Sequence, residues 1–309
     1  MSNTQKESNI RKVALTSLSG TSIEWYDFFL YGAAAGLVFP KLFFGEVDPT
    51  TALVLSFMTF AAGFIARPIG GIVFGHFGDL IGRKKTLVIA LMLMGISSTL
   101  IGLLPTYDTI GIVAPILLTT LRFCQGIAIG GQWGGAMLLV TESAPSNRRG
   151  YYGAYAQAGA PVGVILANIA FISVSMLTSE ENFLSWGWRI PFLISFVLVI
   201  ISMYIQLNLE DTKAFKDLEA MKSSDDSSPK AIKSSPILEA LRRYPKRISL
   251  AAGAFLSVQV TFYILVAFIL AYGVQTTDLS RNDLLMAVLI GSALMVPTQF
   301  MFSDYSDKN

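Results

Sequence analysis

The sequence predicts an all-α protein that crosses a lipid bilayer several times. Its 309 residues are 53% hydrophobic and only 14% charged, with a mean hydropathy of +0.56, whereas a soluble domain is about 25% charged. The apolar residues fall into runs of about 20 or more, the length a helix needs to cross the hydrocarbon core. Backbone groups in lipid must be satisfied within their own segment, so such runs are helices.

Taken in order, the first eleven residues are polar and form, with Lys12, an amino-terminal tail (1–12). The first span, 13–39, is interrupted by Glu24 and Asp27 and has no small-residue cleavage site, so it reads as a retained helix and not a signal peptide. The second, 51–76, runs into the polar, glycine-punctuated turn Gly75-His-Phe-Gly-Asp-Leu-Ile-Gly-Arg-Lys-Lys85. Span 86–104 follows. The fourth, 110–140, carries Gly126, Gly130, Gly131, Gly134 and Gly135, a small-residue spacing for close helix approach. It also holds Cys124, the only cysteine, which rules out an intrachain disulfide. Gly159 to Gly163, with Pro161 between, lets the fifth span (151–177) bend or pack closely. Trp186, Trp188 and Arg189 stand at the start of the sixth (188–209), where an interfacial belt is expected. Together 13–209 form a six-helix bundle.

A linker, 210–247, contains the polar run Ser223-Ser-Asp-Asp-Ser-Ser-Pro229, which is too poor in apolar groups to fold alone. Its last part places Ile237, Leu238, Leu241 and Tyr244 on one helical face beside Arg242, Arg243, Lys246 and Arg247. That pattern fits either a helix on the inner headgroup surface or a solvated basic linker. Two further spans, 248–274 and 283–302, begin a second bundle (248–309). The closing Ser303-Asp-Tyr-Ser-Asp-Lys-Asn309 is an imperfect copy of the turn at Gly75–Lys85, with Asp307 opposite Asp79. The repeat implies two related halves, the second incomplete.

Lys and Arg set the orientation. Seventeen lie in the tail, the second and fourth turns and the linker, against Lys41, Arg189 and Arg281 on the other side. The amino terminus and the linker are therefore expected in the cytoplasm.

Glu24, Asp27, Arg67 and Arg122 lie inside apolar spans. A charge at the bilayer centre costs at least ~2.5 kcal/mol, so such residues mark a pathway or a partner pair. Glu24, Asp27 and Tyr31 share one face of the first span. Arg122 reaches a similar depth, near mid-membrane. Two acids and a base at one depth suit a polar cavity for a small anionic or zwitterionic solute, with one carboxylate as a candidate proton carrier. The competing reading is a buried Arg122–acid pair that only fixes packing. His76 is the only histidine and stands at the cytoplasmic end of its span. The sequence has no metal-ligand cluster, phosphate loop or nucleophile–base pair, which argues against an enzyme and against a cofactor. Its clustered bases do not suit nucleic acid, and no obligate protein partner is evident.

Gly78-Asp-Leu-Ile-Gly-Arg-Lys-Lys85 resembles the signature between the second and third helices of the major facilitator superfamily. More narrowly, the chain resembles bacterial metabolite:proton symporters, which carry shikimate, 2-oxoglutarate, citrate or proline and betaine. Glu24-Trp-Tyr-Asp-Phe28, Ala66-Arg-Pro-Ile-Gly-Gly71, Leu121-Arg-Phe-Cys-Gln-Gly126, Gly130-Gly-Gln-Trp-Gly-Gly135 and Trp186-Gly-Trp-Arg-Ile-Pro-Phe192 carry that resemblance. It implies two six-helix bundles with alternating access, of which this chain holds the first bundle and the first two helices of the second. It also implies a multi-pass inner-membrane protein that takes up a small organic acid or zwitterion with protons. Asp79, Gly82 and Arg83 would belong to a cytoplasmic latch, with Glu142 a partner for Arg83. Asp27, Arg67 and Arg122 would be the solute and coupling groups, with Arg122 holding the solute's negative group. Gln132 stands where the family usually has a glutamate, so any coupling role of that acid falls to Glu24 or Asp27. The rival readings are a truncated carrier that does not transport and a transporter-derived membrane sensor.

Overall fold

Most of the apolar runs fold into helices within a few residues of the predicted limits, but the first helix already begins at Asn3, inside the segment read as a tail, and the last continues to Lys308. A computed structural model describes residues 3–81, 83–207 and 242–308. The long helices are α1 (Asn3–Leu37), α2 (Pro49–Ile81), α3 (Arg83–Leu103), α4 (Val113–Ser143), α5 (Arg149–Leu177), α6 (Arg189–Leu207), α7 (Pro245–Thr276) and α8 (Arg281–Lys308). There is no strand among the described residues. α7 contains a π-helical turn at Ile264–Phe268, and a second π turn, Phe183–Gly187, leads into α6.

Five of these helices are long and apolar enough to cross a membrane, and a sixth is added if the segment from Glu180 to Ile201, bent by 44°, counts as one span. α1 falls short because its middle is built from Ser, Thr, Glu24 and Asp27, and the described apolar stretch of α3, Val88–Leu103, is short. Both nevertheless run alongside the qualifying helices.

α1 is the central rod, packed against α2, α4, α5 and α6 and touching the π turn of α7. α2 packs mainly on α4, α3 on α6, and α8 on α5. Glycines set the α2–α4 distance. A Cβ at Gly70 would lie 2.0 Å from the Ile127 carbonyl oxygen, one at Gly126 2.1 Å from that of Gly63, and one at Gly130 2.0 Å from that of Arg67. Gly159 and Gly163 bring α5 equally close to Thr21 and Trp25 of α1. The glycine runs of the fourth and fifth spans thus act in packing, as expected; the side-chain environment of Gly131, Gly134 and Gly135 is not described. Asp48 caps α2, accepting from the Thr51 N–H at 3.0 Å, and the Thr51 hydroxyl together with that N–H holds its carboxyl below the usual range.

Trp188 departs from the interfacial expectation. It is fully buried, stacked edge-on against Phe39, Phe43 and Phe192, while Trp186 is exposed. Arg189 covers the Trp188 ring at 4.5 Å and donates to the Gly102 and Leu104 carbonyls, closing the carboxyl end of α3. The linker, including Ile237, Leu238 and Leu241, lies largely outside the described residues, as does Gly82.

Candidate functional site

A cavity of about 540 Å³ opens where α1, α2, α4 and α5 face α7 and α8. Glu24 and Arg67 supply its charges, Gln157, Gln259 and Gln299 its amides, and Trp25, Phe28 and Phe262 its aromatic walls. Arg67 lies one turn after Gly63 on α2, and its guanidinium sits 4.4 Å from the Phe28 ring centroid, 4.7 Å from Phe64 and 5.6 Å from Trp25. Its Nε and Nη2 have no hydrogen-bond partner, although Glu24 and the Tyr263 hydroxyl are the charged and polar groups acting on it. The cavity therefore offers one guanidinium, one carboxylate, three amides and π faces, a set suited to a small polar solute with a negative group.

Behind Phe28 lies a second, sealed polar layer. Arg122 is completely buried in α4, with its guanidinium 4.4 Å from Phe28, 4.3 Å from Tyr31 and 4.7 Å from Phe60. Gly63 makes the room: a Cβ there would stand 2.7 Å from Arg122 Nε. Arg122 Nη1 donates to Gln125 Oε1 at 3.1 Å, and Gln125 Nε2 donates to Ser98 Oγ at 2.7 Å. The Ser98 hydroxyl proton is then free to point to Asp27, which is 1% exposed and faces Ser98 and Ser195. Neither approach reaches full hydrogen-bond geometry, and both Asp27 oxygens lack a partner, as do Nε and Nη2 of Arg122. Tyr31 donates to Thr59 Oγ1 at 2.7 Å, because the Thr59 hydroxyl is itself committed to the Ser56 carbonyl.

The predicted residues thus divide. Glu24 and Arg67 meet at the cavity, whereas Asp27, Tyr31 and Arg122 meet behind it. Phe28 is the partition, so the single cavity holding both acids and Arg122 gives way to two layers. The buried-pair alternative also changes form, since Arg122 and Asp27 make no direct ion pair among the described residues; the hydrogen-bonded chain from Arg122 runs through Gln125 and ends at Ser98, which faces Asp27. The environment of the Gln132 side chain is not described. The same holds for the latch residues Asp79, Arg83 and Glu142, of which only the helical backbone is described.

The polar partners Ser98, Gln125, Gln157, Gln259 and Gln299 escaped the sequence reading because they are uncharged. Their signal was present, as amides and hydroxyls inside apolar runs. Two further residues stand at the tail end of the bundle. Asp307 caps α5, its carboxylate accepting from the Gly150 and Tyr151 N–H groups at 2.7 Å each, and Asp304 lies 3.9 Å from Arg148. A Cβ at Gly150 would stand 2.8 Å from Asp307 Oδ1, so glycine admits the carboxylate. Asp307 is the repeat counterpart of Asp79, the one signal by which sequence could have found it.

Residues 12–237 match the family described as Sugar (and other) transporter. The chain is 44% identical over 300 residues to the inner membrane metabolite transport protein YhjE and 43% identical over 300 residues to the shikimate transporter, both of Escherichia coli (strain K12). These alignments cover 95% and 94% of this chain and 66% of each relative, so the chain spans just under two thirds of their length. The proline/betaine transporter of the same organism is 34% identical, with 96% of this chain and 60% of that protein covered. A crystal structure of a D-xylose-proton symporter has the same fold at a TM-score of 0.67 and 18% identity, covering 93% of this chain and 67% of that one. The relatives are transporters and not enzymes, and the apolar helices are those of a multi-pass membrane protein. With the turn signature, the helical architecture and the family match in agreement, the chain belongs to the sugar (and other) transporter family of the major facilitator superfamily.

Proposed function

We propose that the protein is a secondary transporter of the inner membrane that takes up a small organic acid or zwitterion together with protons. The observation that carries this reading is the two-layer charge arrangement around Phe28. Glu24 and Arg67 face the cavity, and Asp27 and Arg122 lie directly behind it, giving two acids and two cations around one ring.

Arg67 is the group on the cavity wall suited to a solute carboxylate, since its guanidinium presents a planar fork of donors. The three glutamines would bind hydroxyl or carbonyl groups, and Trp25, Phe28 and Phe262 would pack an apolar or cationic face. Arg122, enclosed by three rings, acts on Asp27 through its charge, with Gln125 and Ser98 set between the two. Each added negative charge at Arg67 upsets the balance of two against two, so solute anion and proton assist each other's binding. That coupling is reciprocal and is typically worth 1–3 kcal/mol. Asp27 is the proposed proton carrier and Arg122 the group that sets its proton affinity. A tail-side closure through Asp307 on α5, together with Asp79, Gly82, Arg83 and Glu142, would hold one of two alternating states.

Uptake of labelled shikimate, citrate, 2-oxoglutarate and betaine into cells producing the protein tests the reading. One solute is expected to accumulate and to lose accumulation on addition of a protonophore. Arg67→Ala is expected to weaken its apparent affinity at least tenfold, whereas Asp27→Asn abolishes accumulation but leaves exchange of preloaded solute. Uptake indifferent to the proton gradient would sink the coupling, and an unchanged affinity in Arg67→Ala would sink the binding role.

A further inference from the structure

The proposed transport cycle needs a closure at each end of the bundle, and the structure carries a contact suited to one at the end remote from the tail. At that end Arg281, the first residue of α8, donates from Nη2 to Ser175 Oγ in the last turn of α5 at 3.0 Å. Its guanidinium carbon also lies 4.2 Å from the Phe183 ring centroid, with Glu180 acting on it electrostatically. At the opposite end of the same two helices, the Asp307 carboxylate caps the first turn of α5.

α5 is thus gripped at both ends by α8, each time with the charge that suits the helix dipole: an anion at the amino end and a cation at the carboxyl end. We propose that Arg281 is the outer clamp of the carrier, a positioning residue that closes the external entrance by holding α8 to Ser175 and Phe183. This rests on the transport reading above.

Two features make the contact releasable. Arg281 borders a cavity of about 850 Å³, with Lys41, Ser175 and Glu180 on its other walls, so water can rehydrate the guanidinium as it swings away. The Lys41–Glu180 pair beside it is 3.9 Å long and mostly exposed, leaving Glu180 available to receive the freed cation. On the wall of this cavity, α1 meets α7 closely, with a Cβ at Gly36 standing 3.2 Å from Ala271 Cβ. Release of Arg281 therefore frees the outer ends of α7 and α8, which separate the outer cavity from the central one.

The test reads accessibility and not transport. In a Cys124→Ser background, Gln259→Cys places a thiol on the wall of the central cavity. Its rate of reaction with a membrane-impermeant maleimide is then measured in intact cells. Arg281→Ala is expected to raise that rate about fivefold, the scale of one lost half-exposed ionic hydrogen bond. Ser175→Ala, which keeps the charge and guards against misfolding, raises it about twofold. Asp307→Asn, which loosens the opposite end, lowers it. Unchanged labelling in both outer variants while Asp307→Asn still responds overturns the outer clamp and leaves the transport reading standing. No response from any of the three overturns both. A rise in the outer variants, in a protein that accumulates no solute in the uptake assay, keeps the clamp and removes the transport reading.

Discussion

Arg122 holds its place without a carboxylate in contact, and the surrounding residues explain how. Three rings lie within 4.7 Å of its guanidinium carbon, each worth about 0.5–2 kcal/mol where the charge is desolvated. Gln125 receives one N–H, and Gly63 leaves the gap that the Nε edge fills. Gly63→Ala is therefore expected to displace Arg122 from its cage and disturb the Gln125–Ser98 chain that faces Asp27. The expected outcome is a loss of proton-driven accumulation of about tenfold, with normal amounts of protein in the membrane and solute affinity at Arg67 largely kept. A variant with unchanged accumulation would remove Arg122 from the coupling. The presence of Arg122 and the two acids at mid-span was legible, because charge in an apolar run has few explanations. Their separation by Phe28 was not. Glu24, Asp27 and Tyr31 share a broad helix face, and only the packing of α2 and α4 decides which of them turns toward the cavity.

At the scale of helices, the α2–α4 crossing is the interface most dependent on missing side chains. Backbone carbonyls occupy the positions that Cβ atoms at Gly70, Gly126 and Gly130 would take. Overpacking usually costs about 1–3 kcal/mol, and here the obstacle is backbone, which cannot rotate away. Gly126→Val is expected to lower the midpoint of thermal unfolding in detergent by several degrees or to prevent accumulation in the membrane. Gly75→Ala is the contrasting case: nothing lies within 4 Å of the added methyl, and alanine favours the helix by ~1 kcal/mol. Its midpoint should be equal or higher, and a drop matching that of Gly126→Val would show that the crossing is not what these glycines serve. The spacing of the fourth-span glycines was enough to read a close helix approach from sequence, but not that α2 is the helix approached. Trp188 was misread for the opposite reason. A tryptophan near the end of a span suits an interface, and nothing in one dimension reveals that Phe39, Phe43 and Phe192 converge to bury it.

For the molecule as a whole, orientation decides which closure is inner and which is outer. By sequence, the bases of the tail, of 83–85, of 148–149 and of the start of α7 are assigned to one end, and there Asp304 and Asp307 meet Arg148 and α5. The other end carries Glu46, Asp48, Asp108, Glu180, Glu181 and Asp278 against Lys41, Arg189 and Arg281. The asymmetry in Lys and Arg was readable without coordinates, since insertion responds to cations near span ends whatever the fold. What sequence could not supply was the pairing of ends, which sets Asp307 and Arg281 against opposite termini of α5. Val47 and Ser146 are exposed at opposite ends of the bundle. In a Cys124→Ser background, Val47→Cys should react with a membrane-impermeant maleimide in intact cells, and Ser146→Cys only after permeabilisation. The reverse pattern would invert the molecule in the membrane. Asp307 would then close the external entrance and Arg281 the cytoplasmic one, and the proposed direction of uptake would fall with that exchange.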